Sequence, residues 1–254
     1  MDDVIVKRFI VKSYNKSQLT FKRIIDIIIA GVGLILLAPV IGLIALAVRL
    51  DSPGPVIYRH RRIGKNGQPF DLIKFRSMAF GGDDRAYTRY LHDLIESSRN
   101  GKGMPYWKME TDPRITRIGR FLRQYYLDEL PQLWNILIGD MSLVGPRPHV
   151  QLEVDHYTTE QRRRLSVKPG ATGLWQVQGK ADCTFRELLE LDLDYVDHWS
   201  LGMDFQLMFR TLAIMLKGGE GSWARMAKVV PGQRGSPSQP ESSLEPSVHL
   251  TPDH

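Results

Sequence analysis

Two adjacent carboxylates, Asp128 and Glu129, stand immediately before a predicted helix. Pro131 marks the first turn of that helix, since proline is favoured there and its missing N–H would have no partner anyway. Asp128 is therefore predicted at or near the N-cap, where free N–H groups and the helix dipole favour an ionised carboxylate and attract phosphate. An aspartate in this position can also be a simple cap, so the spacing alone leaves both interpretations open.

Two arginines accompany the carboxylates. Arg123 precedes Asp128 on the preceding predicted helix, and Arg147 stands between Pro146 and Pro148. Each proline keeps the residue before it out of the α region, so the loop is predicted to be extended and stiff. Arginine suits phosphate because its planar guanidinium binds two oxygens at once. A carboxylate surrounded by arginines indicates phosphoryl chemistry, with Asp128 as nucleophile or metal ligand.

The composition limits the possible partners. The chain has 254 residues and a formal net charge of +6, with a pI near 9.4. This excess of positive charge indicates an anionic partner: nucleic acid, an anionic membrane surface or a phosphorylated substrate. Cys183 is the only cysteine in the sequence, which excludes an intrachain disulfide and a cysteine-rich zinc site. The soluble part is therefore predicted to face the cytosol.

An apolar segment at residues 24–48 has Asp26 as its only charge. About 20 apolar residues suffice to cross a bilayer, but Pro39 lies in the middle and should kink or break the helix. Basic residues also flank both ends, at Arg23 and Arg49, whereas a crossing helix normally leaves its positive charge on one side. We therefore predict a re-entrant anchor that turns at Pro39 and leaves on the face where it entered.

Three other interpretations of this segment stay open at the level of sequence. A plain transmembrane helix has the required length. A signal peptide is suggested by Ala45-Leu46-Ala47, which resembles a cleavage site, although the apolar run is too long for one. A buried core helix is the third.

The rest of the chain reads as one hairpin followed by helices. Residues 56–63 and 68–75 are strand-like and flank Asn66-Gly67, a strong hairpin signal. Helical patterns follow at 83–98, 116–126, 130–138, 158–166 and 185–217. The apolar stripe of the last pattern either packs on a core or lies at a membrane interface. The expected fold is α+β and mainly helical, with a re-entrant helix-break-helix anchor, a β-hairpin and interface-lying amphipathic helices around one cytosolic domain.

Short motifs occur in a fixed order along the chain. They are Lys22-Arg23-Ile24-Ile25-Asp26, Pro53-Gly54-Pro55-Val56, Arg61-Arg62-Ile63-Gly64, Lys74-Phe75-Arg76-Ser77-Met78, Asp112-Pro113-Arg114-Ile115-Thr116, Leu127-Asp128-Glu129-Leu130-Pro131-Gln132-Leu133, Met141-Ser142-Leu143-Val144-Gly145-Pro146-Arg147-Pro148 and Lys168-Pro169-Gly170-Ala171-Thr172-Gly173-Leu174-Trp175-Gln176. This series resembles the bacterial sugar transferases, the monotopic phosphoglycosyl transferases that load a sugar phosphate onto a polyprenyl phosphate. The resemblance covers residues 20–223 of the sequence.

The resemblance implies a mechanism and assigns residues to it. Asp128 would attack the β-phosphorus of a nucleotide diphosphosugar, releasing UMP and forming a phosphosugar–aspartate that the polyprenyl phosphate then attacks. Mg²⁺ is the implied cofactor, with Asp128 as its ligand, and Glu129 would handle the metal or activate the acceptor. Arg123, Arg147 and Lys180 match phosphate-binding positions.

The sequence departs from the family pattern at two of these places. Lys180 replaces the usual arginine, and Ala38 replaces a serine that is common at the break, so the kink depends on Pro39.

The resemblance also implies an organisation and a setting. A surface-lying or flexible lead-in would occupy residues 1–21, the anchor 22–50, the catalytic domain 51–223 and a disordered tail 224–254. The motif that contains Leu174-Trp175 is similar to that of family members in exopolysaccharide or capsule assembly. UDP-glucose or UDP-galactose is therefore the expected donor and undecaprenyl phosphate the expected acceptor. The chain is expected at the cytoplasmic face of a bacterial inner membrane, in contact with membrane lipid. It is expected to bind no nucleic acid, to form a possible homodimer, and to be a short form without an N-terminal multi-helix domain.

Two functions of other kinds compete with this one. A membrane-anchored module that binds anionic lipid or nucleic acid would explain the charge and the anchor, but not the paired carboxylates or the rigid Arg147. A glycosyltransferase that moves the sugar without its phosphate would release UDP in place of UMP.

Overall fold

The computed structural model describes residues 15–81, 85–101, 103–104, 112, 114–178 and 183–216. Its elements in chain order are α1 (Lys16–Asp51), β1 (Ile57–Ile63), β2 (Pro69–Phe75), α2 (Arg85–Arg99), α3 (Arg117–Gln124), α4 (Gln132–Ile138), β3 (Ser142–Val144), α5 (Gln151–Asp155), β4 (Gly170–Thr172), α6 (Leu174–Gln178), α7 (Phe185–His198) and α8 (Leu201–Leu216). Helices predominate and the strands form two small sheets, as the α+β, mainly helical prediction requires. The predicted tail at 224–254 lies outside the described residues, and the division into domains stays a prediction.

The predicted hairpin is confirmed. Strands β1 and β2 pair antiparallel from Ile57 opposite Phe75 to Ile63 opposite Pro69. At the turn Asn66 and Gly67 both have positive φ angles, of 57° and 76°, which is the conformation that an Asn-Gly turn supplies.

Helix α4 attaches to the outer edge of this hairpin through one side chain. The N–H of Ile73 donates to Asn135 Oδ1 at 3.0 Å, and Asn135 Nδ2 donates to the carbonyl of Asp71 at 2.8 Å. The amide of Asn135 thus pairs with β2 as a neighbouring strand would, because it offers one acceptor and one donor side by side. This contact fixes the start of α4 against β2.

A second sheet, which the sequence did not predict, joins β3 to β4 in parallel. Each strand has only three residues, too few for a period-2 pattern to be visible. Gly145, which follows β3, is in close contact with Gly170, the first residue of β4: a Cβ on Gly170 would lie 2.1 Å from the nitrogen of Gly145. Only glycine permits this approach, and it places the loop after β3 directly against the start of β4.

Helix α1 has 36 residues and contains Pro39. The helix continues through Pro39 without interruption, so of the predicted kink or break, the break is wrong. Proline removes a single N–H, and the hydrogen bonds on either side can keep the segment helical. A bend in the axis and the re-entrant path stay predictions. Within the described residues α1 is the one helix long and apolar enough to cross a membrane.

Both ends of α1 pack on the same domain. Near its start, Arg23 donates to the carbonyls of Ile136 and Leu137 in the last turn of α4, at 2.6 and 2.8 Å. Near its end, Ile44 and Val48 are buried in a cluster with Phe75 and Leu122. The middle of the helix is uncovered, with Leu36 71% exposed.

The long amphipathic pattern at 185–217 is two helices, α7 and α8, which are separated where Trp199 adopts an extended ψ of 137°. The stripe of α7 is core, as its buried Leu188 and Tyr195 show. Helix α8 buries Leu207 but leaves Phe209 71% exposed, so it presents an apolar face outward.

The other helical predictions agree with the structure to within a few residues, with one exception. The segment at 158–166 forms the 3₁₀ turn Gln161–Ser166 in place of an α-helix. The short helices α5 and α6 were not predicted from the sequence.

Candidate active site

The turn that carries the carboxylates lies between α3 and α4. Tyr126 adopts a left-handed conformation with φ of 56°, and a 3₁₀ turn, Leu127–Glu129, follows it. The N-cap of α4 is Pro131, so Asp128, predicted at or near that cap, lies just before it, in a separate 3₁₀ turn. A positive φ at a bulky residue is uncommon and often marks a functional segment.

Burial dominates the electrostatics of the two carboxyl groups. Asp128 is 7% exposed, and burial raises its pKa, while the positive charges of Lys74, Arg123 and Arg147 oppose that rise. The pKa of Glu129 is raised by burial and by the negative charge of Asp128, and the same three cations oppose it. The structure therefore brings together four of the residues singled out by sequence, Asp128, Glu129, Arg123 and Arg147, and adds a lysine.

Lys74 was not predicted as a site residue, although it begins one of the quoted motifs. It lies on β2 opposite Tyr58, and its ammonium is 5.6 Å from the centre of the Tyr58 ring. Burial lowers the pKa of Lys74, and the carboxylates Asp128 and Glu129 raise it. The turn Asn66-Gly67 could have indicated its place on β2 through the hairpin register, but not that it faces Asp128.

Next to Lys74 on the same hairpin are His60 and Arg62. Burial, assisted by the charges of Arg62, Lys74 and Arg147, lowers the pKa of His60 to about 3. The imidazole is therefore neutral at physiological pH. Arg62 Nη2 lies 3.2 Å from His60 Nδ1, and arginine can only donate. The hydrogen on His60 consequently resides on Nε2.

The loop of Arg147 is held along its backbone, which confirms the predicted stiffness. Four consecutive carbonyls accept hydrogen bonds. Two come from backbone N–H groups: Gly170 N donates to Pro146 O and Ile63 N donates to His149 O, both at 2.9 Å. Two come from arginines: Arg164 Nη2 donates to Arg147 O at 2.6 Å and Arg62 Nη1 donates to Pro148 O at 3.2 Å. The guanidinium carbon of Arg147 lies 5.4 Å from the centre of the Trp175 ring, a cation–π distance. Both backbone and side chain of Arg147 are thereby restrained.

A further acid and arginine border the site. Arg114 donates to Asp112 through Nε at 3.0 Å and Nη2 at 2.7 Å. The pKa of Asp112 is lowered, chiefly by Arg114, and Arg123 contributes to the lowering. Arg123 thus lowers the pKa of both Asp112 and Asp128. Of the remaining predicted residues, Lys180 lies outside the described residues, and Pro39 belongs to α1.

The acidic residues suit a metal that is shared with a substrate. Within the described part of the chain no group of three or more histidine, cysteine, aspartate or glutamate side chains is arranged to hold a metal. Asp128 and Glu129 offer two carboxylates, and Mg²⁺ is commonly bound by one or two carboxylates plus substrate phosphates. The pair therefore fits Mg²⁺ in the presence of a diphosphate.

A model of the family described as bacterial sugar transferase matches residues 17–218. The chain belongs to the bacterial sugar transferase family. The family match includes α1 and every element that surrounds Asp128, and it confirms the resemblance seen in the sequence motifs. The transferase identity also agrees with a site built from a buried carboxylate and three nearby cations.

Individual relatives are similar to this transferase over most of its length. It is 41% identical over 208 residues to the galactosyl transferase CpsE of Streptococcus agalactiae, which covers 82% of this chain and 44% of that protein. It is 41% identical over 201 residues to the exopolysaccharide production protein ExoY of Rhizobium meliloti, covering 78% and 87%. A Caulobacter vibrioides protein named UDP-glucose:undecaprenyl-phosphate glucose-1-phosphate transferase is 39% identical over 203 residues, covering 77% and 69%. The transferase thus spans less than half of the first relative and most of the other two.

Proposed function

We propose that the protein transfers a hexose 1-phosphate from a UDP-sugar to undecaprenyl phosphate through a covalent phosphosugar–aspartate on Asp128, with release of UMP. The observation that carries this proposal is the buried Asp128 carboxylate facing Lys74, Arg123 and Arg147. A buried anion among three cations is suited to attack a diphosphate, because the cations bind the phosphate oxygens and attract the substrate to the nucleophile. The names of the relatives supply the substrate class.

The donor half of the reaction begins with a carboxylate oxygen of Asp128. It attacks the β-phosphorus of the UDP-sugar, and the bond from that phosphorus to the bridging oxygen breaks. UMP leaves with the bonding electrons. The guanidiniums of Arg123 and Arg147 and the ammonium of Lys74 stabilise the negative charge that accumulates on the phosphate oxygens.

In the acceptor half, an oxygen of undecaprenyl phosphate attacks the phosphorus of the intermediate. The bond between Asp128 and phosphorus breaks, which forms undecaprenyl diphosphosugar and restores the carboxylate. Glu129, the neighbour of Asp128 in the chain, would lie near the same phosphorus. Its raised pKa, caused by burial and by Asp128, suits it to hold a proton or to share a metal with Asp128. Mg²⁺ bound by Asp128 and Glu129 would neutralise charge on the diphosphate oxygens.

The contacts of α1 support a re-entrant anchor. The hydrocarbon core of a bilayer is about 30 Å thick, so a domain on one side cannot contact both ends of a helix that crosses it. Arg23 contacts α4, while Asp51 accepts a hydrogen bond from the N–H of Ile118 at 3.2 Å, so each end is bonded to the same domain. We therefore propose that both ends of α1 lie at the cytoplasmic face of a bacterial inner membrane.

Exposed apolar side chains support the same orientation. Phe121 on α3, Trp134 on α4 and Phe209 on α8 are all exposed, and aromatic residues are favoured at the headgroup level. With these helices at the interface, the site would lie at the depth of the carrier's phosphate. UDP-glucose and UDP-galactose are both candidate donors, and a homodimer stays a prediction.

The identity of the released nucleotide tests the proposal. Purified enzyme in lipid nanodiscs is incubated with Mg²⁺, undecaprenyl phosphate and either UDP-glucose or UDP-galactose. We expect UMP and undecaprenyl diphosphosugar. Release of UDP would instead indicate transfer of the sugar without its phosphate, and no release with a panel of UDP-sugars would indicate a binding module; either result rejects the proposal.

Two aspartate variants test the nucleophile in the same assay. Asp128→Asn should abolish turnover and leave membrane association intact, because it removes the charge and keeps the shape. Asp155→Asn, on an exposed aspartate of α5, is the matched control and should retain activity. Without acceptor, the wild-type protein should gain the mass of a hexose phosphate on the peptide that contains Asp128. Normal rates for Asp128→Asn would exclude it as the nucleophile.

A further inference from the structure

A buried ion pair lies against the backbone of the Arg147 loop. Arg164, in the 3₁₀ turn Gln161–Ser166, is 2% exposed, and Asp192 on α7 is 0% exposed. Arg164 Nη2 donates both to a carboxylate oxygen of Asp192 and, at 2.6 Å, to the carbonyl of Arg147. One amino group thus bonds a buried acid and the backbone of a residue that faces Asp128.

The other amino group of Arg164 reaches the same loop by a second route. Arg164 Nη1 donates to the hydroxyl of Tyr157, and that hydroxyl contacts His149 Nδ1. The pKa of His149 lies well below its usual value because of burial and nearby arginines. The imidazole is therefore neutral, and its Nδ1 accepts a hydrogen bond from the Tyr157 hydroxyl. Arg164 consequently holds the loop at Arg147 and, through Tyr157, at His149.

Stability alone is a weak reason for this arrangement. Removing two charges from water is costly, and apolar residues of similar volume often replace buried ion pairs without loss of stability. An apolar pair could not bond the carbonyl of Arg147, because it has no donor. The ion pair links the backbone of Arg147 to Asp192 on α7 through Arg164. Helix α7 is fixed in the core through Leu188 and Leu189.

We infer that Arg164, held by Asp192, is a positioning residue for Arg147, and that it sets the direction in which the Arg147 guanidinium presents itself to the donor phosphates. The inference rests on the proposed function, since it assumes that Arg147 binds the substrate. Arg62, which donates to the carbonyl of Pro148, restrains the next peptide and leaves the Arg147 carbonyl to Arg164. A displacement of about 1 Å in a positioning group can cost about 100-fold in rate.

Arg164→Lys tests the inference because it keeps the positive charge for Asp192 but loses the two-pronged reach to Arg147 and Tyr157. We expect kcat/KM for the UDP-sugar to fall about 10- to 100-fold. Arg163→Lys is the matched control. The neighbouring Arg163 pairs with Glu160 and with Asp197, away from the Arg147 loop, and its substitution should change kcat/KM less than about twofold.

A double-mutant cycle with Arg147→Lys separates positioning from a general structural role. If Arg164 acts through Arg147, the double variant should have the kcat/KM of Arg147→Lys alone to within about twofold. A full additional loss in the double variant would overturn the inference. If Arg164→Lys does not fold, as judged by thermal unfolding, Asp192→Asn goes through the same cycle with the same two outcomes. Failure of the wild-type enzyme to release UMP would reject the proposed function instead, and additivity in an active enzyme rejects only the role of Arg164.

Discussion

At the scale of single residues, the charge of Lys74 limits how far burial can raise the pKa of Asp128. Of the three cations near Asp128, Lys74 exerts the largest opposing effect on that pKa. If Asp128 is the proposed nucleophile, it must be ionised to react, and its pKa then determines the pH below which the donor step slows. Lys74 therefore has a role that can be measured apart from any contact it makes with substrate.

Replacement of Lys74 by methionine should move the acidic limb of the pH–rate profile to higher pH. The pKa of Asp128 is already raised, Lys74 lowers it, and removal of the ammonium therefore raises it further. An opposite charge at close range is worth about 1 to 3 pKa units, so we expect a displacement of about 1 pH unit. The measurement is the pH profile of UMP release in a single turnover without acceptor. Lys65→Met, in the exposed hairpin turn, is the control, and an unmoved limb in Lys74→Met would contradict the prediction.

At the scale of elements, three charged residues dock the start of α1 onto α4, β3 and α8. Lys22 donates to Asp204 at 2.6 Å, Arg23 binds the last carbonyls of α4, and Asp26 accepts hydrogen bonds from Ser142 Oγ at 3.1 Å and Leu143 N at 2.9 Å. The charged opening of the apolar segment thus has a structural use. Asp26 accepts a hydrogen bond from the backbone N–H of Leu143 in β3. This strand leads into the Arg147 loop.

Asp26→Leu should therefore destabilise the protein by about 1 to 3 kcal/mol, because it leaves the buried Ser142 hydroxyl and the half-buried Leu143 N–H without an acceptor. Asp26→Asn keeps one oxygen and should lose less. Thermal unfolding in detergent micelles measures the difference. Asp71→Asn is the control, since Asp71 is exposed and its ion pair with Arg61 is exposed as well, which makes it worth about 0 to 1 kcal/mol. Equal unfolding temperatures for Asp26→Leu and Asp71→Asn would show that Asp26 is not a docking residue.

The same contacts explain which features could be predicted from the sequence. The roles of Asn66-Gly67 and the stiffness around Arg147 follow from backbone preferences of adjacent residues, which any reader of the sequence can apply. The position of Lys74 depends on how α4 docks on β2 through Asn135, a contact between residues 62 positions apart. The partners of Asp26 lie 116 and 117 positions away. Local patterns carry no signal for such pairs.

The 3₁₀ turn before α4 shows the limit within a local pattern. Pro131 correctly indicates the beginning of a helix, and on that basis Asp128 is predicted at or near its N-cap. The left-handed Tyr126 starts an additional turn that contains Asp128, and a bulky aromatic residue is rarely found in that conformation. Tertiary contacts must impose it, so sequence preference predicted the neighbourhood of Asp128 and missed its geometry.

At the scale of the whole molecule, the position of the active site relative to the membrane depends on the path of α1. If α1 crosses the bilayer, one of its two docked ends has to leave the domain, which would break either the Arg23 contacts with α4 or the Asp51 contact with α3. If α1 is re-entrant, all of these contacts survive and the uncovered middle of the helix lies in lipid. The contacts therefore favour the re-entrant path and make it testable.

Cysteine labelling decides between the two paths. In a Cys183→Ser background, Lys16→Cys and Leu50→Cys place one thiol at each exposed end of α1, and Leu36→Cys places one in its uncovered middle. With a membrane-impermeant maleimide, both end thiols should react in inside-out vesicles and be protected in right-side-out ones. Leu36→Cys should be protected in both, because lipid surrounds it, and should react after detergent is added. Labelling of the two ends from opposite sides would show that α1 crosses the membrane, and the site would then be held at the surface by one end of the helix alone.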